Sequence, residues 1–455
     1  MPSIALVVLD TLRKDAFDDE FDWLPGRRFE NAWSPSSWTG PVHGSLFTGL
    51  YPSEHGFHAK HLALDCETPV LAERLTAEGV TTRAFSSNVY VSWSYGFDRG
   101  FDEFRGSWRL QSEREDIYDW GSLGAVIEGE GIDRFVRPGN YRALLDGLTD
   151  VARDSRYGLR ASLRHALDLE LQHHGFAGPS DDGAQAALEY VRDTQFGDGE
   201  FLFVNLMEAH APYNPPPEYR STDPQFDVGR TSTLTDGDLD PETLRGAYDD
   251  CVDYLSDVYR KIFEELSSAF DYVITVSDHG EMFGEHGIFV HPPRLYEELV
   301  NVPLIVSGEE LDGVVEETVT LLDVHETVCS VQGVTSEGRG RDLRGDLGGR
   351  PVLTECHGLN PYVAETVADS GANPALLDSR LAGIATPRDY YGCETGDIDG
   401  EPPGGWFERG TVTVEDPREI QAELRADLDQ RTFDEDDLAG IDDQSRQQLA
   451  DLGYI

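Results

Sequence analysis

The chain has 455 residues, with 86 acidic against 36 basic side chains and a formal net charge of -50. Its length exceeds a single small core and predicts a large α/β domain with one lesser unit. The acidic residues are spread along the chain, and a surface of that sign repels nucleic acid and anionic membranes, excluding both as partners.

Lysine occurs only at Lys14, Lys60 and Lys261, so nearly all positive charge is arginine. This balance reads as adaptation to high salt, where self-repulsion is screened over roughly 3 Å at about 1 M. The five cysteines (66, 251, 329, 356 and 393) form no C-x-x-C pair and fit reduced thiols. The apolar run Ile4 to Leu9 is too short for a signal peptide and runs into Asp10, and no segment reaches the roughly 20 apolar residues of a membrane span. The expectation is a soluble, cytoplasmic, halophilic protein.

In chain order, IALVVLD opens as a buried parallel strand that delivers Asp10 at its carboxyl end. The stretch PSSWTGPVHGSLFTG reads as a polar turn followed by a short helix with Pro41 near its start. A helix over Val70 to Gly79, the strand TTRAFSS and an aromatic loop to Phe104 give a β-α-β rhythm. Residues from about 105 to 195 read as a helical insertion over the sheet edge.

FLFVNLMEAHAPYNPPP predicts a second buried strand feeding a proline-rich loop. DYVITVSDHG predicts a third, ending in Asp278 and His279, and NVPLIVS a fourth. The expected catalytic domain covers 1–345. Beyond it, PVLTECH, RLAGIATPRDYYG and GTVTVED read as strands of a small α+β subdomain over 346–455, closed by an acidic helical tail. No repeat of fixed period is present, which argues against a solenoid or propeller.

Ligands of mostly parallel sheets gather outside the carboxyl ends of the strands. Three strands here end in metal-binding groups: Asp10, His210, and the pair Asp278 and His279. Two carboxylates and an imidazole suit a divalent cation, and Thr39, Ser36 or Ser37 could add a hydroxyl. Asp and His at strand ends also serve as caps and turn formers, and Thr39 could be a helix cap beside Pro41.

The string TGPVHGSLFTGLYPSEHG resembles the sulfatase signature C-x-P-S-R-x-S-L-L-T-G-x-Y-P-x-x-H-G. SDHGEMFGEHG followed by RLYEELVNVPLIV resembles the metal segment of that family, as LDTLRKD resembles its opening and LADLGYI its usual end. The resemblance implies an alkaline phosphatase-like fold: a central mixed, mostly parallel sheet flanked by helices, with a small C-terminal α+β subdomain. It implies one divalent metal ion (manganese, zinc or calcium) on Asp10, Asp278, His279 and Thr39.

Counting back from Thr48 and Gly49, the family cysteine falls on Thr39. That cysteine becomes formylglycine within C-x-P-x-R, whereas this chain has Thr39, Pro41 and His43, so the modification cannot form here. A threonine at this position resembles the phosphodiesterase relatives, which form a covalent phosphoryl intermediate. By the same resemblance His210 and His291 are the catalytic histidines, either of which could donate to an ester oxygen or protonate the leaving alkoxide. Arg13, His43 and Asn88 are the candidates for holding the substrate anion, and Tyr213 and Trp38 line the pocket. The implied substrate is a small-molecule or glycan ester of sulfate or phosphorus. A phospho-group transferase and a non-catalytic binder of a sulfated or phosphorylated glycan are the competing readings.

Overall fold

A computed structural model describes residues 1–107, 109–110, 181–221, 240–369, 371, 373–387, 390–396, 405–412 and 416–433. In chain order the strands are β1 (Ile4–Leu9), β2 (Arg27–Phe29), β3 (Ala32–Trp33), β4 (Thr82–Ser86), β5 (Glu103–Gly106) and β6 (Phe201–Leu206). There follow β7 (Tyr272–Val276), β8 (Met282–Phe283), β9 (Phe289–Val290), β10 (Leu304–Gly308), β11 (Val314–Val315) and β12 (Val319–Thr320). The last four are β13 (Val352–His357), β14 (Arg380–Thr386), β15 (Tyr390–Glu394) and β16 (Trp406–Arg409).

The main sheet has eight strands in the order β11-β2-β10-β7-β1-β6-β4-β5. It is parallel except where β10 runs against β7 and β2. The central strand β1 is apolar at every position, because a parallel strand covered on both faces has no solvent side. Ile4, Leu6 and Val8 pack with Val42, Leu46 and Phe47 of helix Thr39–Thr48 and with Val324 and Val328 of helix Leu322–Gln332. The alternate residues Ala5, Val7 and Leu9 pack with helices Lys14–Glu20, Ala184–Asp193 and Pro241–Ala269. Truncating one such leucine to alanine costs about 2–5 kcal/mol in a core that cannot fully collapse.

β13 to β16 form a separate antiparallel sheet, the expected small C-terminal unit. It braces the turn ahead of Thr39. Trp33 stacks on Tyr391 at 4.4 Å, Glu355 donates its N–H to the Pro35 carbonyl at 2.8 Å, and the Ser36 hydroxyl donates to the Glu355 carbonyl at 2.8 Å.

Two local expectations shift. RLAGIATPRDYYG is two antiparallel strands, β14 and β15, that break at Pro387, where a proline has no N–H for the ladder. After β15 the described strand is WFER, just upstream of the expected GTVTVED, of which residues 413–415 lie outside the described residues. Pairing of Glu394 with Trp406 and Tyr391 with Arg409 fixes its register, Phe407 packs on the small core, and Gly410 at φ 82° ends it. Val412, by contrast, is 45% exposed and has no core to face. Most of the helical insertion expected over 105–195, and the acidic tail with LADLGYI, lie outside the described residues.

Candidate active site

β7, β1 and β6 are neighbours in the sheet, so their carboxyl ends bring Asp278, Asp10 and the loop to His210 together. Asp10, Asp278 and His279 are all buried and offer ligand atoms within 4.8 Å of one another. The Thr39 hydroxyl, at the first position of helix Thr39–Thr48, lies 3.4 Å from His279 Nε2. Pro41 is tolerated there because first-turn amides have no partner within the helix. The positive end of the helix dipole thereby points at the hydroxyl.

The neighbours orient these groups. Thr11, held at φ 63°, donates its N–H to Asp278 Oδ1 at 3.1 Å and its hydroxyl to Asp10 Oδ1 at 2.9 Å. Asn205 donates to Asp10 Oδ2 at 3.2 Å. His279 Nδ1 lies 2.9 Å from the Gly280 carbonyl; a proton on that nitrogen turns the Nε2 lone pair towards the cluster.

Burial and the Asp10 charge push the Asp278 carboxyl well above its usual range. Burial pushes Asp10 upward too, but His210, His279, His43 and the Asn205 hydrogen bond outweigh it and hold this carboxyl low. Asp278 Oδ2 is buried and makes no hydrogen bond. Two adjacent buried carboxylates, one with an orphaned oxygen, and an imidazole lone pair form a donor set that fits a divalent cation.

Asn88 joins this cluster: its amide donates to Asp10 Oδ2 at 2.7 Å and to Thr39 Oγ1 at 3.3 Å. The His210 and His291 rings are 5.1 Å apart, and His291 is 4.8 Å from the His279 ring. Burial, then His291, lowers His210 to about 3, which keeps its imidazole neutral. His43 lies beneath the cluster, fully buried, with Nδ1 3.0 Å from the Thr39 carbonyl and 3.8 Å from Asp278 Oδ2. The Arg13 guanidinium donates to Asp15, to the Glu281 carbonyl and to Glu285.

Sequence reasoning missed Glu281. Its Oε1 lies 2.9 Å from His291 Nδ1, and its Oε2 accepts from the Tyr213 hydroxyl at 2.8 Å. Burial pushes this carboxyl up to about 7, against the lowering effect of His210 and Tyr213. The available signal was the glutamate directly after SDHG. Asn205 was legible in the same way, as the polar residue inside FLFVNL.

The family model described as Sulfatase matches residues 20–334, more than half of the chain. The chain belongs to the sulfatase family. It is 22% identical over 314 residues to the uncharacterized sulfatase YidJ of Escherichia coli (strain K12), a match covering 63% of this chain and 56% of that protein. A 110-residue stretch, 23% of this chain, is 34% identical to phosphoethanolamine transferase EptA of Escherichia coli (strain K12), of which it covers 19%. The chain thus spans about half, or less, of the length of these curated relatives. Its fold matches that of the phosphonate monoester hydrolase of Agrobacterium radiobacter with a TM-score of 0.57 at 15% identity, over 90% of this chain and 88% of that one.

Proposed function

We propose that this sulfatase-family chain hydrolyses anionic esters of sulfate or phosphorus, with Thr39 as the nucleophile. The observation that carries this reading is the Thr39 hydroxyl, 3.4 Å from His279 Nε2 and beside Asp10 and Asp278. A divalent cation held by Asp10, Asp278, His279 and Thr39 would lower the pKa of that hydroxyl and neutralise charge on the ester oxygens.

Thr39 Oγ, its proton released to solvent as the hydroxyl ionises, forms a bond to sulfur or phosphorus as the bond to the leaving oxygen breaks. His291 gives that oxygen its proton, with Glu281 stabilising the imidazolium across 2.9 Å, and His210 sits in reach of the same region. Asn88 holds the Thr39 oxygen through its amide. Water then attacks the same central atom and gives one proton back to His291; its oxygen replaces Thr39 Oγ there, and the released Thr39 oxygen takes up a proton from solvent, which restores the hydroxyl. Water cleaves a threonyl ester directly at the central atom, without the hemiacetal breakdown that formylglycine permits, and this favours phosphorus over sulfur.

The decisive experiment is hydrolysis of nitrophenyl sulfate, phosphate monoester, phosphate diester and phosphonate in molar salt, with manganese, zinc or calcium added singly. Turnover that requires metal and vanishes in Thr39→Ala is expected. Full activity in that variant overturns the covalent route. The likeness of one stretch to a phosphoethanolamine transferase favours a second reading, transfer to an acceptor alcohol, which product partitioning with added ethanolamine or glycerol separates from hydrolysis.

A further inference from the structure

Thr11 occupies a backbone position that disfavours a β-branched residue. The chain leaves β1 through a turn in which the Leu12 N–H donates to the Leu9 carbonyl at 3.3 Å. Thr11, the third residue of that turn, takes φ 63°. Turns that need a positive φ there normally place glycine or asparagine at the position. A threonine persists in this conformation only where its surroundings hold it.

The threonine bonds both carboxylates of the metal site. Its N–H and that of His279 donate to Asp278 Oδ1, at 3.1 and 2.9 Å. The other oxygen of Asp278, Oδ2, is thereby left 3.6 Å from His279 Nε2. The Thr11 hydroxyl donates to Asp10 Oδ1, which lies 4.0 Å from the same nitrogen. One residue therefore sets where both carboxylates stand around the imidazole.

A side chain from helix Pro241–Ala269 holds this strained backbone from behind. The Tyr248 hydroxyl donates to the Thr11 carbonyl at 3.1 Å and accepts the Arg13 N–H at 2.8 Å. Tyr248 is wholly buried, and burial pushes its hydroxyl upward, so the proton stays on the donating oxygen. The ring is fixed separately, 4.8 Å from Phe283 and edge-on to Tyr213 at 5.6 Å.

Resting on the metal site of the proposed hydrolase, we infer that Tyr248 is a positioning residue for that site. Its hydroxyl acts through Thr11, keeping Asp10 and Asp278 at the separation that a divalent cation requires. Loss of the hydroxyl frees the Thr11 backbone to leave positive φ, and both carboxylates lose a hydrogen bond when it does.

The test titrates metal-free, full-length protein with zinc in a calorimeter. Tyr248→Phe keeps the ring and deletes the hydroxyl. It is expected to weaken zinc binding by about 10- to 100-fold, the scale on which groups that orient metal ligands act. Tyr259→Phe removes another buried hydroxyl from the same helix, one hydrogen-bonded to Thr275 on β7, and is expected to leave zinc affinity unchanged. Thr11→Gly adopts positive φ without strain and needs no such support. It weakens zinc by losing the bond to Asp10, but in that background Tyr248→Phe is expected to add less than about threefold. Unchanged affinity in Tyr248→Phe, an equal loss in Tyr259→Phe, or the same loss with and without Thr11→Gly overturns the inference. If Tyr248→Phe alone does not fold, the double variant decides. Folding with the zinc affinity of Thr11→Gly sustains the assignment, and an unfolded double variant overturns it. The titration does not depend on turnover: zinc binding without cleavage of any ester removes the hydrolase reading alone, whereas a wild type that takes up no metal overturns this inference.

Discussion

The side-chain oxygen of Thr39 lies 3.4 Å from Nε2 of His279, a residue 240 positions further along the chain. The two meet because helix Thr39–Thr48 starts above the carboxyl end of β1, and β7 lies next to β1 in the sheet. If this hydroxyl is the nucleophile, Thr39→Ala lowers kcat by about a thousandfold or more, and KM moves little, because the lost bond forms only on the way to the transition state. Thr39→Ser keeps the oxygen and retains measurable turnover. Steady-state kinetics on nitrophenyl esters check both.

Asp10 and Asp278 carry a prediction whose sign depends on metal. With no cation, the two buried carboxylates oppose each other and Asp278 is pushed upward. Asp278→Asn removes that repulsion, so after chelation the variant melts at the same temperature as the wild type or higher. With metal present the order reverses, since binding to the native state adds about 2.7 kcal/mol at a hundred times Kd. Thermal melts with and without chelator, together with metal analysis of about one ion per chain in the wild type and loss in the variant, decide it. A variant that melts lower in both conditions would contradict the assignment.

Much of this site was legible before any coordinates. Asp10, Asp278 and His279 stand at the ends of apolar runs, and a run buried on both faces must end where the sheet ends, so its last polar residue points to the ligand edge. Thr39 was reachable through the resemblance and not through spacing, which left Ser36 and Ser37 open. Those two have other surroundings: the Ser36 hydroxyl is engaged with the Glu355 carbonyl, 319 residues away. That bond, the stacking of Trp33 on Tyr391 and the partnership of Glu281 with Tyr213 are long-range packing facts without local pattern. The strand WFER has the same cause: pairing with β15 and the packing of the partly buried Phe407 fix it.

His325 predicts acid lability away from the site. It is buried on helix Leu322–Gln332, with Nδ1 3.2 Å from the Leu46 carbonyl, and burial lowers it to about 4. Its folded value lies below the unfolded 6.5, so the unfolded chain takes up the proton first. The stability held by the neutral ring is complete above about pH 6.5 and drains as pH falls towards 4, with about 2 kcal/mol lost at pH 5. Urea unfolding at pH 7.5 and 5.0 reads this directly. His325→Gln is expected to flatten the difference by that share, and an unchanged difference would rule out His325 as a contributor.

The net charge of -50 sets the salt dependence. Self-repulsion opposes the compact state, and screening over roughly 3 Å at about 1 M removes most of it. The melting temperature is expected to rise steadily as potassium chloride is raised from tenths of a molar to several molar. Glycine betaine, which has no net charge and does not screen, should give a smaller rise at equal concentration. Equal rises would show that screening is not the cause.

Glu281 supplies the sharpest test of how the leaving group gains its proton. Its carboxylate lies 2.9 Å from His291 Nδ1 and accepts from Tyr213 at 2.8 Å, which fixes the ring and favours its protonated form. Glu281→Gln keeps the size but removes the charge, so less of His291 carries the proton it must donate; kcat is expected to fall by about 10- to 100-fold on alkyl esters, with KM little changed. Nitrophenolate departs without a proton, so the same variant should lose far less on nitrophenyl esters. Tyr213→Phe, which leaves the carboxylate in place, should show a weaker form of the same pattern. A loss of equal size on both kinds of ester would mean that Glu281 supports the architecture of the site and not the acid.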